Sequence, residues 1–487
     1  MGIIQRQATR NAVSIFLATI IGAVNTIVVL PAAFDTYEEG WGLLKVIVAY
    51  AMIFSQFIHG GIPNAFLRFL PSVSGADRSL FLGRLMLAPT AGTLFFLGLV
   101  IFFGETGFQL INADESKLLI AHIPELFVLT TALTFFQVFG GYLGAQLKST
   151  LYQFLNETFL KSWYLVVVVG FWMELYGFDV LLWAYVAGYV IAMLVTLISA
   201  RKNAFHLKFE GRFPLKVKEV ATYSFYAILD RGAAIAVTNL DIVMIGLLAS
   251  LEEVAFYTLA FYIGSVALLP QKSISAISMP VVSASIAANE ITKLTEVYVK
   301  SSLMQLTLGG LIFCCIWVPI DEIMQLLPDK FSGGKWVVFF IGIAKLLQMA
   351  GGVSGGILVY SKYYRSNFYL NLLLIVLTIA TNLFFMHPDG LNMGITGAAL
   401  ATAISATVYT GLKVYYVQRY FKINPFSRSL LIASLLIAAI SSLVLIPNLF
   451  GNIYLSLLMK GSVTALLFLS VARSARLLPE LKQFLGR

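Results

Sequence analysis

From Asn11 to Leu30 the chain carries no Asp, Glu, Lys or Arg. At about 1.5 Å of rise per residue, a helix of that length crosses about 30 Å of hydrocarbon. Comparable apolar runs recur to the end of the chain, and this recurrence constrains the fold more than any motif does. Composition agrees: the chain is 59% apolar and 12% charged, with mean hydropathy +0.86, whereas soluble domains carry about 25% charged residues. The expected fold class is all-α, a polytopic membrane protein with about fourteen transmembrane helices.

The runs place spans near 11–31, 41–62, 85–104, 123–147, 159–177, 180–200, 222–248, 254–281, 299–319, 335–358, 367–386, 393–416, 428–446 and 453–472. The first is longer than the usual 7–15-residue signal core and lacks a clear small-x-small cleavage site, so it reads as a span. The connections alternate in sign. Arg68, Arg78 and Arg84, then Arg201, Lys202, Lys208 and Arg212, mark one side; Asp35, Glu38, Glu39, Glu252 and Glu253 mark the other. The positive-inside rule then puts both termini in the cytoplasm. This bias accounts for the net charge of +9 through topology and contact with membrane lipids, without nucleic acid. No connection is long enough for a soluble catalytic or nucleotide-binding domain, and there is no Walker A sequence. No catalytic residues and no metal site are expected, and the adjacent Cys314 and Cys315 read as small core residues.

One segment is written twice. Residues 135–147 read FFQVFGGYLGAQL and residues 346–358 read LLQMAGGVSGGIL, so Gln137, Gly140, Gly141 and Gly144 match Gln348, Gly351, Gly352 and Gly355. Tyr152 and Asn156 match Tyr363 and Asn367 at the same offset, and Asn25, Val29, Glu38 and Glu39 match Asn239, Val243, Glu252 and Glu253 at a slightly longer one. Six spans separate the copies, so both enter the membrane in the same direction, as parallel repeats do. The expected lobes are 1–216 and 217–427, with 428–487 supplying two further helices and a tail, and a substrate site between the lobes. The six glycines permit close helix packing or a hinge.

Charge inside a span is costly and marks a candidate site. Lys345 lies about ten residues into its span, roughly 15 Å deep and near the midplane. Arg231 sits toward the middle of another, next to Asp230. Lys45 and Lys272 lie nearer the ends, where a headgroup is within reach of a snorkelling side chain. Asp230, Asp241 and Glu125 are candidates for ion coupling. The surplus of Arg231, Lys345, Lys45 and Lys272 over carboxylates suits an anionic substrate, since phosphate oxygens take charge-assisted hydrogen bonds from Arg and Lys. A pocket for cationic drugs would display carboxylates and aromatics instead.

Several segments carry a family likeness: MGIIQRQATRN at the start, LDIVMIG (240–246), EEVAFYTLAFYIGS (252–265), SKYYRSN (361–367) and GITGAALATAIS (394–405). In their order and spacing the chain resembles the Wzx-like polysaccharide-precursor flippases of the MOP exporter superfamily, to which MATE transporters also belong. The resemblance implies a non-enzymatic, MATE-like transporter of two six-helix lobes plus two C-terminal helices. It would move undecaprenyl-pyrophosphate-linked oligosaccharide from the cytoplasmic to the periplasmic leaflet of a bacterial inner membrane by alternating access. It implies no cofactor, coupling to H+ or Na+ in some members, a monomer, and a polysaccharide polymerase as an eventual partner. Relatives often place Asp-Arg in the segment matching LDIVMIG, whereas here Asp241 is followed by Ile242. A cation-coupled multidrug exporter of the same superfamily and, further off, a membrane glycan polymerase or ligase are the alternatives.

Overall fold

The computed structural model describes residues 18–73, 75–108, 113–445, 451–475 and 477, and among them every regular element is a helix. Eleven helices are long and apolar enough to cross a membrane, and two bent pairs raise the number to thirteen. The shorter Ala18–Ala33 is the described part of the first expected span, whose beginning lies outside the described residues.

The chain divides into two compact units, one up to Ala255 and one from Phe256. The first contains α1 (Ala18–Ala33), α2 (Glu38–Ile58), α3 (Ile62–Phe69), α4 (Ala76–Phe108), α5 (Ala113–Ala121), α6 (Ile123–Ala145), α7 (Thr150–Trp172), α8 (Phe178–Lys202) and α9 (Val217–Leu248). The boundary falls within α10 (Leu251–Ser265). The second unit continues with α11 (Leu269–Ala287), α12 (Ile291–Trp317), α13 (Ile320–Gln325), α14 (Lys335–Ala350) and α15 (Ser354–Tyr360). It closes with α16 (Tyr364–Met386), α17 (Gly394–Phe421), α18 (Arg428–Ser441) and α19 (Ile453–Ser474). The lobe limit at 216/217 follows the sequence duplication, while compactness draws its line later, because α9 packs along α2.

Each unit is organised around enclosed helices that carry small and hydroxylated residues. In the first unit, α6 packs against α2, α3 and α8. Its buried Thr130 and Thr134 return their hydroxyls to the carbonyls of Leu126 and Thr130 at 2.7 and 2.8 Å. In the second, α12 packs against α11, α14, α18 and α19 and buries Ser301, Ser302, Gln305, Thr307, Gly309 and Gly310. Lipid is as apolar as leucine, so close packing through small residues, rather than flight from water, holds such helices together. Outer helices show the opposite pattern: α4 exposes Leu94, Phe95, Ile101 and Phe102, a face suited to acyl chains.

The duplicated segment builds a core cluster in each unit. Val138, Phe139, Tyr142 and Leu143 pack with Phe66, Phe81 and Phe205 in the first. Val353, Ile357 and Leu358 pack with Leu294, Tyr298 and Val417 in the second. The two copies nevertheless differ in backbone. α6 runs unbroken through Gly140, Gly141 and Gly144, whereas the corresponding helix breaks between α14 and α15 with a bend of 51°. Gly352 lies in that break with φ +52°, a left-handed conformation that other residues rarely hold.

The last helix is fixed by charge. Glu322 of α13 is 1% exposed and accepts from Lys460 Nζ at 2.7 Å and Ser456 Oγ at 2.8 Å, both on α19. Lys460, inside the last expected span, is therefore an ion-pair partner. Burial acts to raise the Glu322 carboxyl, but the bonds from Lys460 and Ser456 outweigh it and hold the group below the ordinary 4.5. The folded value lies below the unfolded one, so this contribution is present above the unfolded value and fades as pH falls through the folded one. Removing Lys460 alone strands a buried carboxylate, so Lys460→Met should destabilise by about 3–5 kcal/mol. Detergent-phase unfolding checks this, and adding Glu322→Gln should restore much of the loss.

Candidate functional site

Span two ends in a break that gathers polar groups. After Ile58, His59 caps α2, Gly60 and Gly61 take φ +60° and +70°, and Pro63 opens α3. His59 Nδ1 accepts the Gly61 N–H at 3.1 Å, and its Nε2 meets Gln56 Oε1 at 3.2 Å. Gln56 Nε2 in turn donates to Gln137 Oε1 at 2.8 Å. Gln137, one of the duplicated positions, thus anchors a chain of three side chains that stabilises the bent helix end. A Cβ on Gly61 would stand 2.4 Å from the Ser224 carbonyl oxygen of α9, so α9 approaches the break closely.

Arg231 belongs to this neighbourhood. It is exposed, and its Nη1 donates to Asn64 Oδ1 at 3.2 Å, while the adjacent Gly232 sits against Gln56 and Phe57. Asn64 orients the guanidinium through one bond and adds no opposite charge, which leaves a fork suited to a bidentate oxyanion. Arg68, one turn beyond Asn64, lies over the Tyr223 ring at 4.4 Å.

The other candidates are placed as follows. Lys45 is half-buried over the Tyr164 ring at 5.6 Å, beside Tyr185 and Tyr189. It stands thirteen residues before the end of α2, about 20 Å along the helix axis, so the first unit does not bring it to Arg231. In the second unit Lys345 is half-buried over the Phe261 ring at 5.0 Å, and Lys272 is exposed near the start of α11. Asp241 is buried in α9. Glu125 is buried in the first turn of α6, 3.4 Å from His122 Nδ1. The Asp230 side chain lies outside the described residues.

The six glycines all make contacts that a side chain would disturb. Cβ atoms on Gly140, Gly141 and Gly144 would meet the Tyr152 ring at 2.3 Å, Pro63 at 2.6 Å and Leu67 at 3.3 Å. Those on Gly351, Gly352 and Gly355 would meet Thr410 at 2.6 Å, Ser302 at 2.1 Å and Lys413 Nζ at 3.2 Å. Lys413 was not among the expected site residues. Its ammonium lies over the Tyr409 ring at 4.0 Å, and Tyr409 donates to Asn371 Oδ1 at 2.5 Å. The expected span ends at 416, whereas α17 continues to Phe421, about 12 Å beyond Lys413 along the helix axis. Asn64, Gln56 and Gln305 were also missed, since uncharged polar residues leave no mark in a charge count.

The polysaccharide biosynthesis protein family matches residues 8–286. The chain belongs to that family. Among curated relatives it is 23% identical over 258 residues to a probable low-salt glycan biosynthesis flippase, Agl15, of Haloferax volcanii. That match takes in 52% of this chain, which spans about half (53%) of the relative's length. Among solved structures, the lipid II flippase MurJ in its inward closed conformation superposes with a TM-score of 0.76 at 15% identity, over 95% of this chain and 99% of that one. A multidrug resistance MATE family transporter of the MOP superfamily, inward-facing, superposes with a TM-score of 0.63 at 13% identity, over 90% and 99%. These are likenesses of fold, and they give this family member the MurJ/MATE architecture.

Gly61→Ala should be severe, because a left-handed alanine costs about 1–3 kcal/mol before the clash with Ser224 is counted. Gly144→Ala should be mild, since the neighbouring Leu67 methyl can turn aside. Thermal unfolding of the two variants in detergent measures the contrast.

Proposed function

We propose that the protein flips an undecaprenyl-pyrophosphate-linked oligosaccharide from the cytoplasmic to the periplasmic leaflet by alternating access, within cell-surface polysaccharide biosynthesis. Family membership and the MurJ-like fold support a lipid-linked glycan as substrate. The observation that carries the anionic headgroup is Arg231, exposed on a membrane-spanning helix and oriented by the neutral Asn64. Lys345 and the newly recognised Lys413 add positive charge in the second unit, and Lys45 and Lys272 are secondary contacts. The polyprenyl tail stays in lipid, and no bond is made or broken. The protein's part is to supply donors to phosphate and sugar hydroxyls where hydrocarbon has none. A bacterial inner membrane with both termini cytoplasmic, a monomer, and drive from an H+ or Na+ gradient complete the proposal.

A second reading, a cation-coupled exporter of drugs, draws on the MATE-like fold and on the buried carboxylates Asp241 and Glu125, the latter beside His122. Reconstitution in liposomes separates the two, with labelled lipid-linked oligosaccharide in one assay and a cationic dye in the other. Flipping of the glycan lipid is expected. Arg231→Ala and Lys345→Ala should each slow it about tenfold or more, as loss of a charge-assisted hydrogen bond worth about 1.5–3 kcal/mol requires. Dye movement without glycan flipping would sink the flippase reading, and a double variant that flips normally would sink the role of the cations.

A further inference from the structure

The break between α14 and α15 releases backbone groups inside the membrane. Gly352 N–H bonds to Met349 O at 2.9 Å, and Ser354 N–H bonds to Gly351 O at 3.2 Å. Both donors have shortened their reach by one residue, so the carbonyls of Gln348 and Ala350 lose the donors that an unbroken helix would give them. These carbonyls belong to the last turn of α14, the negative end of its dipole.

Two helices face this turn: α17, through Thr410 against Gly351, and α12. A Cβ on Gly352 would meet Ser302 Oγ at 2.1 Å, and one on Gly309 would meet Met349 Cε at 2.1 Å. Positions 302, 305 and 309 share one helix face, so Gln305 projects toward α14 between those two contacts. Its side chain is wholly buried near the middle of α12. Among the described residues neither Oε1 nor Nε2 has a hydrogen-bond partner. Ser302 Oγ spends its hydrogen on Tyr298 O at 2.9 Å and keeps its lone pairs, and buried Ser354 lies beside the Tyr298 hydroxyl. A buried amide with both ends bare is costly, and here it lies on the α12 face turned to carbonyls that have lost their helical donors and to the Ser302 hydroxyl.

We propose that this cluster is a binding site for a monovalent cation, Na+, held by Gln305 Oε1, the Ser302 and Ser354 hydroxyl oxygens and the carbonyls freed at the Gly352 break. Hard oxygen donors select alkali and alkaline-earth ions over softer metals. The donors are neutral, which favours a single charge over two, and no group of three His, Cys, Asp or Glu side chains able to hold a metal occurs among the described residues. Unwound carbonyls at a half-helix C-terminus suit such an ion. The Gln305 amide nitrogen is left to donate to a neighbouring carbonyl. Occupancy would tie α12 to both halves of the broken span, so the ion would set the bend. The inference gives the coupling step of the proposed flippase an ion and a place, but it does not depend on what is carried.

The test uses the purified full chain in detergent without substrate. Radioactive Na+ binding is measured by equilibrium dialysis, and thermal unfolding is followed as NaCl replaces choline chloride at constant ionic strength. Saturable Na+ binding and a Na+-specific rise in unfolding temperature are expected. Gln305→Met should weaken binding by about tenfold or more, whereas Gln305→Glu, which keeps the oxygen, should retain or tighten it. If Gln305→Met does not fold, Ser302→Ala and Ser354→Ala carry the same expectation. Absence of saturable binding in the wild type, which would mean a buried water only, overturns the inference, as does undiminished binding in the variants. A chain that binds Na+ yet moves no glycan lipid would overturn the flippase reading and leave this one standing.

Discussion

Inside hydrocarbon, no solvent stands ready for a bare amide or carbonyl, and most of this structure follows from that. A helix satisfies its own backbone, so the described chain is helical from end to end. The interruptions are then the expensive places, and each must be paired with side chains able to stand in for a lost backbone bond. At the end of α2, His59 takes up the Gly61 N–H directly, and Gln56 and Gln137 hold the imidazole in line. At the end of α14, Ser302 stands against Gly352, and the buried Gln305 follows one turn along the same helix. One break is closed by protein alone, while the other keeps an amide in reserve.

That difference gives the internal duplication its physical content. The two copies of the glycine segment share sequence and core position, yet one is a straight helix and the other a bent pair. In the first copy Gly141 lets α6 close on Pro63, and in the second Gly352 turns left-handed against Ser302. Glycine permits either outcome, because it removes a Cβ and also opens positive φ. The neighbours decide: a proline-started helix in one unit, a hydroxylated helix face in the other. Duplication has supplied a common scaffold, and the packing partners have specialised its halves.

This also sets what was legible beforehand. Hydropathy located the spans because the bilayer demands length and apolarity of each one separately. Pairings over long separations were not legible. Nothing near Lys460 signals Glu322, far earlier in the chain, so the buried ion pair left no trace in the sequence. Arg231 could be ranked by depth, but its partner Asn64 carries no charge and leaves no trace in hydropathy. Lys413 was passed over: the expected span ends three residues after it, whereas α17 runs on to Phe421.

The partners of the intramembrane cations finally separate two kinds of lysine. Lys460 is committed, its ammonium 2.7 Å from a buried carboxylate that depends on it. Lys45, Lys345 and Lys413 instead lie over the rings of Tyr164, Phe261 and Tyr409 at 5.6, 5.0 and 4.0 Å. A ring face steadies a cation by about 0.5–2 kcal/mol, enough to lessen its cost in a low-dielectric setting. Such a contact makes no directed hydrogen bond and is weaker than the ion pair that holds Lys460. In the flippase proposed above, a contact of such intermediate strength would suit a site that holds charge while empty and still releases what it has carried.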